Sequence, residues 1–219
     1  MRIAVLGTGM VGRAIAARAA ELGHQVTIGT RDVAATRDRG GDHAAWAAQH
    51  PEVGLARYAD ATADADLVVN ATTGDGSLPA LTAAGEDNLA GKVLLDIANP
   101  LDFSAGFPPT LSVLNTDSLG ERIQRAFPRL KVVKALNTLT ADLMVHPRQL
   151  ADGDHTVFVS GDDEGAKKTV TELLTSFGHT DVIDLGDIST ARGTEMLLPI
   201  WLRLYGRLGT GIFNVKIVR

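Results

Sequence analysis

The chain opens on RIAVL (Arg2–Leu6), a strand-forming run that passes straight into GTGMVG (Gly7–Gly12) and then into an alanine-rich stretch. Few folds accept that order. Gly7 permits a tight turn, Gly9 lets backbone approach a pyrophosphate with no side chain in the way, and Gly12 lets a helix pack closely on the strand. The helix start adds free N–H groups and a partial positive charge. Strand, loop and helix together predict a dinucleotide-binding βαβ unit, a stronger signal than the six residues alone.

The next strand sharpens the expectation. An NAD-preferring chain places Asp or Glu at its end, where the acid accepts from the ribose 2′-hydroxyl. Here the run is VTIGTRD, so Thr30 takes the acid's place and Arg31 follows. A carboxylate would repel a 2′-phosphate, whereas a hydroxyl and a guanidinium bind one. NADP(H) is therefore expected, and Asp32 keeps an NAD reading open.

Beyond this unit, short apolar runs alternate with Ala/Leu-rich runs. Strands are expected at 2–6, 25–29, 55–58, 67–71, 92–97, 131–135, 156–160 and 181–185, and helices at 10–22, about 78–85, 118–126, 163–177 and 189–208. Continuous apolar strands of this kind are covered on both faces. The fold class is α/β: a Rossmann-type doubly wound, mostly parallel sheet with a small C-terminal α/β extension. Pro147 and the polar run ADGDH suggest a boundary between a dinucleotide-binding domain, 1–145, and a C-terminal part, 146–219. One continuous sheet through both is the alternative.

Composition removes other classes. A net charge of −5 argues against a nucleic-acid surface. The absence of cysteine excludes disulfides, thiolate metal sites and a cysteine nucleophile. The six histidines are scattered, none at metal-ligand spacing with a carboxylate, so no metal is expected. The N-terminus lacks the long apolar region of a secretory signal, and no stretch has membrane-span length. A cytoplasmic, soluble protein is expected.

Ligands of open α/β sheets sit beyond the carboxyl ends of the strands. Those ends supply Asn70, Ala71 and Thr72, then Asn99 before Pro100, then Asn137 and Thr138. Amides and hydroxyls there can hold the second ribose and the carboxamide of a nicotinamide; Asn and Thr also form turns for backbone reasons. Asn137 and Thr138 are the candidates nearest the reacting ring. Lys134 is expected to anchor or snorkel at its strand end. Hydride transfer needs no dedicated nucleophile, because the cofactor carries the chemistry.

At this point GTG (Gly7–Gly9), GTRD (Gly29–Asp32), VSGDDEGAKKTV (Val159–Val170), DLGDISTARGTEMLLP (Asp184–Pro199) and the terminal GIFNVKIV resemble the family of NADP oxidoreductases that use the deazaflavin coenzyme F420. The chain is also similar to the cytosolic reductase domain of animal membrane ferric reductases, although it shows no haem-bearing span. The resemblance implies hydride transfer between NADPH and a second redox ring, best matched by coenzyme F420. By position it implies that Thr8, Gly9, Met10 and Val11 cradle the pyrophosphate and that Thr30 and Arg31 hold the 2′-phosphate. It places Asn137 and Thr138 beside the nicotinamide. Ser189, Arg192 and Glu195 lie near the deazaflavin or order the C-terminal helix.

Three departures surround the second substrate and leave the dinucleotide side intact. TTGDGS (Thr72–Ser77) lacks a proline found there in the family, Asp102–Leu119 is extended, and Asn137 stands where a histidine is common. An NADPH-dependent reductase of small imines or carbonyls and a non-catalytic NADP(H) sensor are the alternatives. The segment Met196–Leu202 is apolar nearly all round, which predicts burial on several sides. Core packing and a homodimer interface through Trp201, Arg203 and Tyr205 are both open, and Pro199 is expected to kink or split the helix.

Overall fold

The computed structural model describes residues 1–219. Eight strands form one sheet in the order β3-β2-β1-β4-β5-β8-β9-β10, with β1 at Arg2–Leu6, β2 at Gln25–Thr30, β3 at Gly54–Arg57, β4 at Leu67–Asn70, β5 at Val93–Asp96, β8 at Lys131–Ala135, β9 at Thr156–Gly161 and β10 at Asp181–Asp184. Every pairing is parallel except β8 with β9. The first six positions reproduce the 3-2-1-4-5-6 order of a dinucleotide fold. The strands after residue 146 extend that same sheet.

Alternation within the strands builds two cores. Ile3 and Val5 of β1 and Leu67 and Val69 of β4 face one side, with Ile15 and Ala19 of α1 (Met10–Glu21), Leu143 of α8 (Ala141–Val145) and Val170 and Phe177 of α9 (Glu164–Phe177). Ala4, Leu6 and Val68 face the other. That side is closed by α4 (Tyr58–Ala63), α5 (Gly74–Ala84), α6 (Glu86–Leu89), α7 (Leu119–Ala126) and α10 (Ala191–Met196). Each fully buried Leu or Ile contributes about 1.5–3 kcal/mol, so the two-sided strands account for the sheet's order.

The connections hold what the apolar pattern did not predict. Two short helices, α2 (Val33–Arg37) and α3 (Asp42–Gln49), join β2 to β3. A two-stranded hairpin, β6 (Leu101–Asp102) with β7 (Thr110–Leu111), projects after β5. The C-terminal helix is divided at Leu197 into α10 and α11 (Leu198–Leu208), with Pro199 in the first turn of α11, where its missing N–H costs nothing. Burial on several sides does not hold for this segment. Leu198 and Leu202 are buried, but Ile200, Leu204, Tyr205 and Leu208 are exposed, so the apolar surface of α11 is covered on one side only. No helix is long and apolar enough to cross a membrane.

Buried histidines tie the C-terminal elements to α8. His179 donates from Nε2 to the Met144 carbonyl (2.9 Å), and His155 donates to that of Pro147 (3.0 Å). Burial pushes the His179 imidazole down to about 4, and the neighbouring His155 adds to this. An unfolded histidine protonates near pH 6.5, so between 6.5 and 4 the unfolded chain binds the extra proton and stability falls as pH falls. Urea midpoints should drop between pH 7 and pH 5. A His179→Gln variant should show a shallower drop, and an unchanged slope would remove His179 as its source.

Candidate active site

The glycine loop shows two kinds of requirement. Gly7 has φ +122°, and a Cβ there would lie 2.5 Å from the Ala71 carbonyl oxygen; one at Gly12 would lie 2.1 Å from that of Gly7. Close backbone packing demands both glycines. Gly9 is different, because a Cβ there would meet nothing within 4 Å. Open space lies over it, directly before α1. In α2, α5, α7 and α9 the cap side chains of Asp32, Thr73, Ser118 and Asp163 accept an N–H of the first turn. In α1 no side chain accepts, and the first turn contains no acid. Unpaired N–H groups, a favourable dipole and an open approach fit a pyrophosphate.

At the end of β2 the structure separates the expected pair. Thr30 is turned inward, its hydroxyl 2.8 Å from that of Thr36, so the side chain is already partnered. Thr30 is expected beside the 2′-phosphate, and here its hydroxyl faces Thr36 instead of solvent. Arg31 is exposed. Asp32 caps α2, accepting from the Ala35 N–H at 3.0 Å. A second cation was missed in the sequence. Arg39 reaches back from the α2–α3 connection and donates to the Thr8 hydroxyl at 3.0 Å, crossing the mouth of the glycine loop. Its only sequence signal is a basic residue before the Gly40–Gly41 pair.

A cleft of about 380 Å³ adjoins the loop at the carboxyl ends of β4 and β5. Of the predicted residues, Val11, Ala71, Thr72 and Asn99 line it. Phe103, Leu139 and Met144 line it as well, and no pattern in the sequence marked them. Asn70 does not reach it. This amide is fully buried, donating to Ser77 Oγ at 2.9 Å and Asp96 Oδ1 at 2.8 Å, and accepting from the Thr72 hydroxyl at 2.7 Å. Asn137 sits behind the wall rather than in it. Its amide donates to Asn99 Oδ1 (3.1 Å) and the Thr194 carbonyl (3.0 Å), and its own carbonyl accepts from Asn99 Nδ2 (2.8 Å). Thr138 faces the opposite side, toward Trp201 and Phe213. Asn137 thus positions Asn99, and neither Asn137 nor Thr138 lines the cleft. Leu136, just before them, holds φ +61°, a strained conformation at a strand end beside the site.

Under the cleft floor runs a buried charged network. Lys134 is completely enclosed, with Nζ 2.9 Å from both Asp96 Oδ2 and Glu195 Oε1, and it donates to the Ala98 carbonyl. Burial pushes its ammonium down, but the two carboxylates outweigh this and hold it above the usual lysine range. Lys134 is anchored and does not snorkel to solvent. Glu195 also accepts from the Leu119 and Gly120 N–H groups at the start of α7, at 2.8 and 3.1 Å. Arg192 pairs with Glu121 through Nε (2.8 Å) and Nη2. Ser189 bonds Asp187, the cap of the turn before α10. None of the three lines the cleft; Arg192 and Glu195 tie α10 to α7, and the Ser189 contact is local.

Comparison with known proteins bears on this geometry. The family described as NADP oxidoreductase coenzyme F420-dependent matches residues 2–100. A crystal structure of an Arthrobacter sp. fb24 protein, to which F420-dependent NADP reductase activity is ascribed, is 64% identical, with a TM-score of 0.98 and 100% of both chains covered. The chain belongs to this family. Membership makes it an NADP oxidoreductase of the Rossmann type. The F420-dependent NADP reductase of Methanocaldococcus jannaschii is 29% identical over 97% of this chain and 97% of that protein. Rat metalloreductase STEAP3 is 28% identical over 97% of this chain, which spans 40% of the rat protein's length. The family's matched segment ends at residue 100, where the hairpin begins, so the cleft's outer wall lies beyond it.

Proposed function

We propose that the chain transfers hydride between NADP(H) and coenzyme F420. The observation that carries this is the cleft of α1, β4 and β5: it opens beside the glycine loop and is lined by apolar side chains and a few amides and hydroxyls. When bound, the dinucleotide supplies a hydride at its nicotinamide, and the second ring takes it up with a proton from water. The chain's own part is binding, orientation and exclusion of solvent. Thr8–Val11 hold the pyrophosphate with backbone N–H groups. Arg31 and Arg39 hold the 2′-phosphate. Thr72 and Asn99 hydrogen-bond the nicotinamide side, with Asn137 fixing the Asn99 amide. Residues 1–145 serve as the dinucleotide-binding unit, while 146–219 complete the sheet and present the exposed face of α11, on which two copies pair.

Mixing the protein with NADPH and, in turn, oxidised F420, FMN and a cyclic imine tests the reading through nicotinamide absorbance. Oxidation of NADPH with F420, and not with the imine, is the expected result, from a preparation that scatters light with twice the chain's mass. Tight NADPH binding with no turnover on any acceptor would make the chain a sensor and overturn the assignment.

A further inference from the structure

The hairpin β6–β7 forms one wall of the cleft. Its root is fixed: Ser112 N–H donates to the Pro100 carbonyl at 2.8 Å, and Leu101 N–H to that of Asn99 at 2.9 Å. Beyond the two paired positions, Leu101 with Leu111 and Asp102 with Thr110, the chain turns back through a tip bearing two exposed phenylalanines. Phe107 lies edge-on to Tyr205 (6.3 Å between centroids, 67° between planes), and Tyr205 stacks on Trp201 of α11 at 5.5 Å and 12°. That contact holds the tip from one side. Phe103 lines the cleft and remains 61% exposed.

Phe103 is the one aromatic side chain among the residues that line the cleft. Asp75 is the one titratable side chain among the lining residues, and no lysine, arginine or histidine reaches in. Recognition of what enters therefore rests on apolar contact and neutral hydrogen bonds. Phe103 adds a π face, which favours offset stacking or edge-to-face contact with another ring.

We infer that Phe103 determines acceptor specificity by packing against a flat, fused, uncharged ring system held in the cleft, with the Phe107–Tyr205 contact setting the hairpin in place for it. The inference rests on the hydride-transfer reading and adds the residue that selects the acceptor's shape.

Equilibrium binding tests it without turnover. Oxidised F420 and riboflavin, both fluorescent flat rings, are titrated with the protein in the presence of NADP⁺. Phe103→Ala should weaken both by about tenfold, the upper range of an aromatic pair. Phe103→Tyr should restore wild-type affinity, and Phe103→Leu should fall between, since it keeps apolar bulk and loses the π face. A cooperative urea transition with an unchanged m-value reports correct folding in all three. Undiminished ring binding by Phe103→Ala overturns the role of Phe103 and leaves the F420 assignment standing. The same holds if that variant only changes the scattering mass. Failure of the wild-type chain to bind any flat ring overturns both.

Discussion

Replacing Lys134 by methionine should lower the free energy of unfolding by about 3–5 kcal/mol. The side chain is wholly enclosed between Asp96 and Glu195. Two carboxylates would then remain buried, one of them also bonded to the first N–H groups of α7. Breaking a buried pair from one side costs far more than the net value of the pair, because an uncompensated charge is left behind. Urea unfolding with an unchanged m-value measures the loss. Combining Lys134→Met with Asp96→Asn and Glu195→Gln should recover part of it, since neutral amides tolerate the same cavity. A single-variant loss below about 1 kcal/mol would show that the network carries little.

The second large effect concerns cofactor choice. Arg31→Ala should weaken NADPH by about 1.5–3 kcal/mol, the size of charged hydrogen bonds, and leave NADH nearly unchanged. Arg39→Ala should act in the same direction, because its guanidinium spans the mouth of the glycine loop to Thr8. The double variant should bind the two cofactors with closely similar affinity. Calorimetric titration at two salt concentrations checks this, since screening reduces the phosphate contribution and not the adenine contact. Equal losses for NADPH and NADH would remove both arginines from the 2′-phosphate. With Thr30 turned toward Thr36, these two cations are the proposed source of discrimination.

Why some of this was legible in the sequence and some not has a physical basis. The six inner strands announced themselves because both of their faces are largely buried, so most of their residues must be apolar, while the edge strands β3 and β10 have no buried residue and show a weaker signal. The glycine loop was legible because its requirement is local: a close approach and a left-handed turn leave a residue type behind. The short helices α2, α3, α4, α6 and α8 were not. None exceeds eight residues, and tertiary contacts hold what intrinsic propensity does not. The polar residues at strand ends were legible as a set and not as individuals. Asn70 ends β4 and is wholly buried against Asp96, while Asn99, three residues past the end of β5, pairs with Asn137 and still lines the cleft. Their partners lie 26 and 38 residues away, beyond the reach of a local pattern. Glu195 is the extreme case, since its partners at the start of α7 lie 75 and 76 residues earlier.

The hairpin has a consequence for how such a chain can change. Its ladder ends at Asp102 and Thr110, and its root is tied at Pro100 and Ser112. Residues between those points can be lengthened or shortened at a closure cost that grows only logarithmically, about 0.6 kcal/mol for each doubling. The strands beneath would not register the difference. Choice of acceptor is thus written in a segment that drift can edit cheaply, while the cofactor loop stays locked by backbone contacts that admit only glycine. One ancestral scaffold could serve several redox partners by exchanging little more than this ribbon.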